Sequence, residues 1–226
     1  MFSNPFPDKC YFHCEKVSER ATEIHPKELE IAAQFKASKR RDEFITARRC
    51  AQMAMQKAKL PGLPVLRSPN RSPQWPFSIV GSISHGAGYA AAILCRQGSG
   101  LVGIGIDMEN LNREIKSNIC RQVLTEFEIQ KWLKGREEVN RDIKIIFSLK
   151  EAIYKCFFPI SEIYLGFKDA EIDEITDIGF KARLLKSPIN KDLPLPLKIQ
   201  GTLTIKNSVV LSAVRIFYRD LTTDSR

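Results

Sequence analysis

Nowhere in the 226 residues does an apolar run approach the roughly 18 consecutive residues that read as a membrane span, so none is expected. The opening ten residues contain Pro5, Pro7, Asp8 and Lys9 and lack the apolar core of an export signal, so a cytoplasmic protein is expected. Six cysteines (Cys10, Cys14, Cys50, Cys95, Cys120 and Cys156) are scattered without pairing, and without export they are expected to stay reduced. Cys10-His13-Cys14 offers three soft ligands, but no second pair follows at finger-like spacing, which argues for buried thiols over zinc. No G-x-S-x-G elbow surrounds any serine, and no internal sequence repeat is present.

What is there is an ordinary globular balance of 43% hydrophobic and 27% charged residues, enough to bury a core. The net charge of +9 favours an anionic partner. Nucleic acid, a phosphate-rich cofactor and an acidic protein fit that charge equally well.

Residues 26–60 carry Ala32, Phe35, Phe44, Ala47, Ala51, Ala54 and Ala58 at near-helical spacing, and Pro61-Gly62 ends the stretch. Residues 63–76, rich in proline and arginine, read as an ordered loop. Strands are expected at 77–84, 89–96 and 101–107, separated by glycine-rich turns. A second helix is expected at 143–158, closed by Pro159. Strands are expected again at 167–172, 180–185, 197–205 and 209–217, with a hairpin turn at Lys206-Asn207-Ser208. A long helix followed by strands thus occurs twice. This predicts an α+β protein of two similar halves, residues 1–106 and 107–226.

Three local patterns carry candidate chemistry. In Gly105-Ile106-Asp107-Met108-Glu109 a strand ends in two carboxylates at i and i+2, which alternation places on one face. Side by side they repel, and they suit a hard cation such as magnesium; two solvated acids at a strand end are the plainer alternative. In Phe147-Ser148-Leu149-Lys150-Glu151-Ala152-Ile153-Tyr154-Lys155, Glu151 and Lys155 share a helix face and would complete a metal–phosphate site. Ser148-x-x-Glu151 equally matches a capping box, and Glu151 with Lys155 a surface ion pair. In Gly81-Ser82-Ile83-Ser84-His85-Gly86 a strand runs into a glycine turn, presenting hydroxyl, imidazole and backbone donors to a phosphate. Arg40, Arg41, Arg48 and Arg49 lie along one helix, with Arg67 and Arg71 in the following loop; guanidinium forks suit phosphate oxygens, although such a run also forms a solvated face.

Taken in order, these segments resemble the 4′-phosphopantetheinyl transferases of the surfactin type, nearest to the enterobactin synthase component D subgroup. The matching stretches are Arg41-Asp42-Glu43-Phe44-Ile45-Thr46-Ala47-Arg48, Pro73-Gln74-Trp75-Pro76, Gly81 to His85, Gly105 to Glu109, and Phe147 to Lys155. The resemblance implies pseudo-twofold halves, each a small antiparallel sheet packed with helices, with the active site at their interface. It implies coenzyme A as substrate, magnesium (or manganese) as cofactor, and an acyl or peptidyl carrier protein as partner. Asp107, Glu109 and Glu151 would hold the metal, with Glu151 and Lys155 catalytic. Arg40, Arg41, Arg48, Arg71, Ser84, His85, Lys150 and Lys155 would bind coenzyme A. Ala47 and Leu149 depart from the family, which often has glycine and a small residue there. A monomer is expected, with residues 115–132 as part of the carrier-docking surface and no nucleic-acid partner. The competing expectations are a basic nucleic-acid-binding module, which leaves the acids unexplained, and a noncatalytic coenzyme A-binding protein.

Overall fold

The computed structural model describes residues 1–19, 23–98, 100–114, 119–135, 139–189 and 195–221. It is α+β, as expected, with two antiparallel sheets of unequal size. The N-terminal sheet has order β1-β5-β4, from β1 (Tyr11–Lys16), β4 (Ile79–Gly86) and β5 (Tyr89–Arg96). Between β1 and β4 lie α1 (Pro26–Ala32), α2 (Ser38–Lys57) and the short ribbon β2 (Leu66–Arg67) and β3 (Pro73–Gln74). The C-terminal sheet has order β6-β10-β9-β8-β7, with β6 at Leu101–Asn110. The helices α3 (Ile119–Val123), α4 (Glu126–Glu128) and α5 (Val139–Ser161) precede β7 (Ala170–Ile175), β8 (Gly179–Leu184), β9 (Leu197–Lys206) and β10 (Val209–Phe217).

The expected single helix over 26–60 is two helices. His25 caps α1 by accepting from the Lys27 N–H at 3.2 Å, while Glu28 accepts from the His25 N–H at 3.1 Å. Ala37 is extended and interrupts the run before α2, and Phe35 turns back against Phe44 at 5.3 Å. The small buried residues Ala47, Cys50, Ala51 and Ala54 then let α2 lie close on β5. Helix α5 is longer than expected and runs through Pro159, whose missing N–H falls in the last turn, just before Glu162 ends the helix with a left-handed φ of 57°. Residues Phe167–Asp169 form a 3-10 turn instead of opening a strand.

Strand β1 was not expected. Its Phe12 and Cys14 face the core while His13 faces outward, where Lys57 and Glu15 meet it at 3.3 and 3.4 Å. Alternation therefore separates His13 from the two buried thiols, in keeping with plain core cysteines.

The segment before β1 has a structural task. Phe2, Phe6, Cys10 and Phe12 join Ile93, Ile104, Ile106, Met108 and Leu211 in one core cluster, which spans both sheets. Strand β6 passes through the middle of this junction. It pairs along its length with β10, so a division between residues 106 and 107 falls inside one strand. On its other side β6 meets β4 through side chains: Ser82 Oγ accepts from the Ile106 N–H and Ser84 Oγ from the Met108 N–H, both at 3.1 Å.

Glycine sets the remaining distance. A Cβ on Gly105 would lie 2.0 Å from the Ala152 carbonyl and 2.5 Å from the Cys156 nitrogen. The backbone of α5 therefore rests directly on β6, which brings Glu151 and Lys155 beside Asp107.

Candidate active site

A cavity of about 580 Å³ opens between the halves. One wall is basic and aromatic: Phe35, Arg40, Phe44 and Arg48 before and along α2, with Arg67 and Arg71 from the loop after it. The opposite wall is formed by Asp107 and Glu109 of β6 with Phe147, Glu151, Tyr154 and Lys155 of α5. Ser82, Ser84 and His85 of β4 line the floor between them.

The acidic wall is tightly organised. Lys155 Nζ donates to Asp107 Oδ1 at 2.5 Å and to Ser84 Oγ at 3.3 Å. Ser84 Oγ donates to Asp107 Oδ1 at 3.1 Å. Ser84 of β4 is thereby bonded to both β6 and α5 and holds Asp107 in place. Asp107 Oδ2 is buried with no hydrogen-bond partner, a state that costs at least about 1–3 kcal/mol for a polar atom and more for a charged one. Burial pushes the Glu109 carboxyl above its ordinary pKa, the Asp107 charge adds to this, and Lys144 and Lys155 oppose it. Burial raises Glu151 in the same way, with Lys155 opposing and Asp107 and Glu109 adding.

This wall suits a divalent cation chemically: it holds three carboxylates, two of them disfavoured as anions, and one unsatisfied oxygen. Among the described residues no three acidic, histidine or cysteine side chains stand at metal-ligand spacing. The cation that Asp107 meets within the chain is the Lys155 ammonium.

The basic wall is built differently. Arg48 is buried, stacks on the Phe44 ring at 4.4 Å, and lies 3.9 Å from Glu28. Burial lowers its pKa to about 10, opposed by Glu28. Arg40 and Arg67 flank the Phe35 ring at 5.5 and 5.9 Å. Arg71 takes a left-handed φ of 71°, inside a loop tied by Ser68, Asn70 and Ser72. His85 lies 3.5 Å from Glu43; partial burial lowers its pKa, and Glu43 opposes that shift.

Two expected site residues do not reach the cavity. Arg41 is exposed beside Asp42, because the cavity face of α2 follows Arg40, Phe44 and Arg48 at successive four-residue steps, and one residue turns the helix by about 100°. Lys150 points away from the cavity for the same reason. Its ammonium is buried and donates to Glu128 at 2.6 Å, the Val123 carbonyl at 2.8 Å and the Phe167 carbonyl at 2.9 Å. The capping-box alternative for Ser148 also fails: it sits mid-helix, 2.7 Å from Ser212 Oγ. Sequence reasoning missed Phe35 and Tyr154 as parts of the site, and Glu28 behind it, outside the cavity. An aromatic spaced among arginines was the available sign for Phe35; nothing local marked Glu28.

Residues 28–95 match the 4′-phosphopantetheinyl transferase N-terminal domain, and residues 103–202 the 4′-phosphopantetheinyl transferase superfamily. The chain is 31% identical over 194 residues to the 4′-phosphopantetheinyl transferase PptT of Mycobacterium tuberculosis, covering 84% of each chain. It is 27% identical over 149 residues to enterobactin synthase component D of Salmonella austin, covering 65% of this chain and 60% of that protein. The crystal structure of Thermotoga maritima holo-[acyl-carrier-protein] synthase matches 51% of this chain and 62% of its own, at 23% identity and a TM-score of 0.39. The chain belongs to the 4′-phosphopantetheinyl transferase superfamily: it is an enzyme that transfers phosphopantetheine from coenzyme A to carrier proteins.

Proposed function

We propose that the cavity between the halves binds coenzyme A, with its 3′-phosphate end against Arg40, Arg48, Arg67 and Arg71 and its pyrophosphate beside Lys155 and His85. The observation that carries this reading is the pairing of a cationic, aromatic wall with an acidic wall around Asp107, whose Oδ2 is buried and unpaired. Asp107, Glu109 and Glu151 would hold magnesium or manganese. When bound, the metal supplies positive charge to the pyrophosphate oxygens.

The hydroxyl of the carrier's serine attacks the β-phosphate, and 3′,5′-adenosine bisphosphate leaves. Lys155, held on Asp107 and Ser84, places an ammionium-type charge where negative charge grows. Glu151, with its raised pKa, accepts the serine proton directly or through water. Ser84 acts by fixing Asp107 and Lys155, and His85 by donating to a phosphate oxygen. If Glu151→Gln kept metal affinity and near-normal turnover, another base would be at work.

The carrier is expected to dock beside α5, on the surface after β6. Of the apolar residues Ile119, Val123, Leu124 and Phe127 on that stretch, Val123 and Leu124 belong to the core, whereas Phe127 is exposed, with Lys131 and Arg183 over its ring at 5.2 Å. Lys131 suits an acidic partner, whereas Arg183 is already paired with Glu171 at 2.6 Å. Residues 115–118 of the expected surface lie outside the described residues. We further read the protein as a cytoplasmic monomer of the surfactin type, with two halves that meet within β6 and no role for nucleic acid. No described helix is long and apolar enough to cross a membrane.

Mass spectrometry of several apo carriers incubated with coenzyme A and magnesium tests the reading. One carrier gains the phosphopantetheine mass on a serine, and EDTA abolishes the gain. Salt-sensitive nucleic-acid binding with no transfer to any carrier would contradict it.

A further inference from the structure

The arginines of the cavity come from two segments, and one carboxylate outside the cavity contacts both. Glu28 of α1 is fully buried. Its Oε1 accepts from the Val65 N–H at 2.8 Å and stands 3.9 Å from Arg48 Nε. Its Oε2 accepts from the His25 N–H at 3.1 Å and from Gln52 Nε2 at 3.4 Å. A carboxylate taken wholly out of water needs both hydrogen bonds and a countercharge. Three donors supply the bonds, and Arg48 is the cation beside it.

The pairing leaves the arginine unspent. At 3.9 Å the Arg48 Nε is beyond hydrogen-bond reach of Glu28, and this buried nitrogen has no hydrogen-bond partner. Arg48 is thus neutralised in charge but not consumed as a donor, and it lines the cavity against Phe44. Val65, held by the other contact of the same oxygen, is buried and precedes Arg67 by two residues. Arg67 then reaches the cavity over Phe35. Helix α1 adds little apolar core of its own; its capping box and its buried Glu28 serve to bring one carboxylate between α2 and the loop.

We propose that Glu28 is a positioning residue for coenzyme A recognition: it aims Arg48 into the cavity and, through Val65, sets the backbone that delivers Arg67, without touching the ligand. This rests on the reading of the arginine wall as the seat of the 3′-phosphate.

The test compares KM and kcat for coenzyme A and for 3′-dephospho-coenzyme A in the wild type, Glu28→Gln, Arg48→Lys and the double variant. Glu28→Gln is expected to raise KM for coenzyme A about tenfold, the scale of one charge-assisted hydrogen bond, with kcat and the KM for the dephospho substrate unchanged. Added to Arg48→Lys, it should raise KM by less than its full tenfold, since only the route through Val65 and Arg67 is left. Equal effects on both substrates, or additivity in the double variant, would overturn the proposal. A wild type that does not distinguish the two substrates would overturn the arginine-wall reading, and the proposal with it. Should Glu28→Gln fail to fold, Glu28→Asp, which keeps the charge but draws it back by one methylene, is read by the same substrate comparison.

Discussion

Helix α5 carries charge on two of its faces, buried on one and half-buried on the other. On one, Lys150 has three acceptors within 2.9 Å, and its partner Glu128 also accepts from the Ile172 and Thr125 N–H groups at 2.7 and 2.8 Å. Every charge there is matched, so the group joins α5 to α4 and β7. On the other face, one residue along, Glu151 looks across a cavity at Asp107 and Glu109, with Lys155 as the nearby cation and one Asp107 oxygen unpaired. Some burial is common to both faces. What separates them is closure: matched charge holds the fold together, whereas unmatched charge facing a cavity is held ready for a ligand.

The largest effect expected from this contrast is on the closed face. Lys150→Ala should cost about 3–5 kcal/mol in urea unfolding, because Glu128 is left buried without a countercharge. A cost below about 1 kcal/mol would show that the face is not closed as described.

Glu151→Gln should do the reverse. Turnover falls by about a hundredfold or more with the loss of the general base, while the metal-free protein becomes more stable at pH 8. The sign follows from the raised pKa. The folded state holds that proton more tightly than the unfolded chain does, so the carboxyl's contribution to stability falls as pH rises from the ordinary glutamate range through its raised value. Glutamine does not titrate, so its advantage over glutamate should vanish near pH 4 and be full at pH 8. Melting curves at the two pH values measure it; an equal shift at both would contradict the account.

A smaller effect sharpens the contrast within α2. Arg40→Ala should raise KM for coenzyme A by about tenfold, and Arg41→Ala should leave it unchanged, since only the former lines the cavity. Equal effects would return Arg41 to the site.

Much of this was legible in the chain. Short apolar runs bounded by turn residues exposed β4, β5, β6, β9 and β10, and the two-residue spacing of Asp107 and Glu109 placed both on the cavity side. The four-residue spacing of Glu151 and Lys155 did the same on α5. Helical phase between sequence neighbours was harder to read: Arg40 against Arg41 and Lys150 against Glu151 differ only in which way a turn faces, and that depends on how α2 lies on β5 and on Gly105 letting α5 settle on β6. The break between α1 and α2 was hidden because helix-forming residues continue through it. Glu28 could not be found locally, since Val65 and Arg48 lie 37 and 20 positions away. The role of residues 1–14 emerges only once Phe2 and Phe6 are seen in the core between the sheets.

The claim on which the rest depends is that the open face of α5 and the end of β6 form one metal site. Isothermal titration of magnesium into the coenzyme A-loaded protein tests it most directly. The wild type is expected to bind the ion, and Asp107→Asn and Glu151→Gln to lose that binding while still taking up coenzyme A. Unchanged magnesium binding in both variants, or none in the wild type, would contradict it.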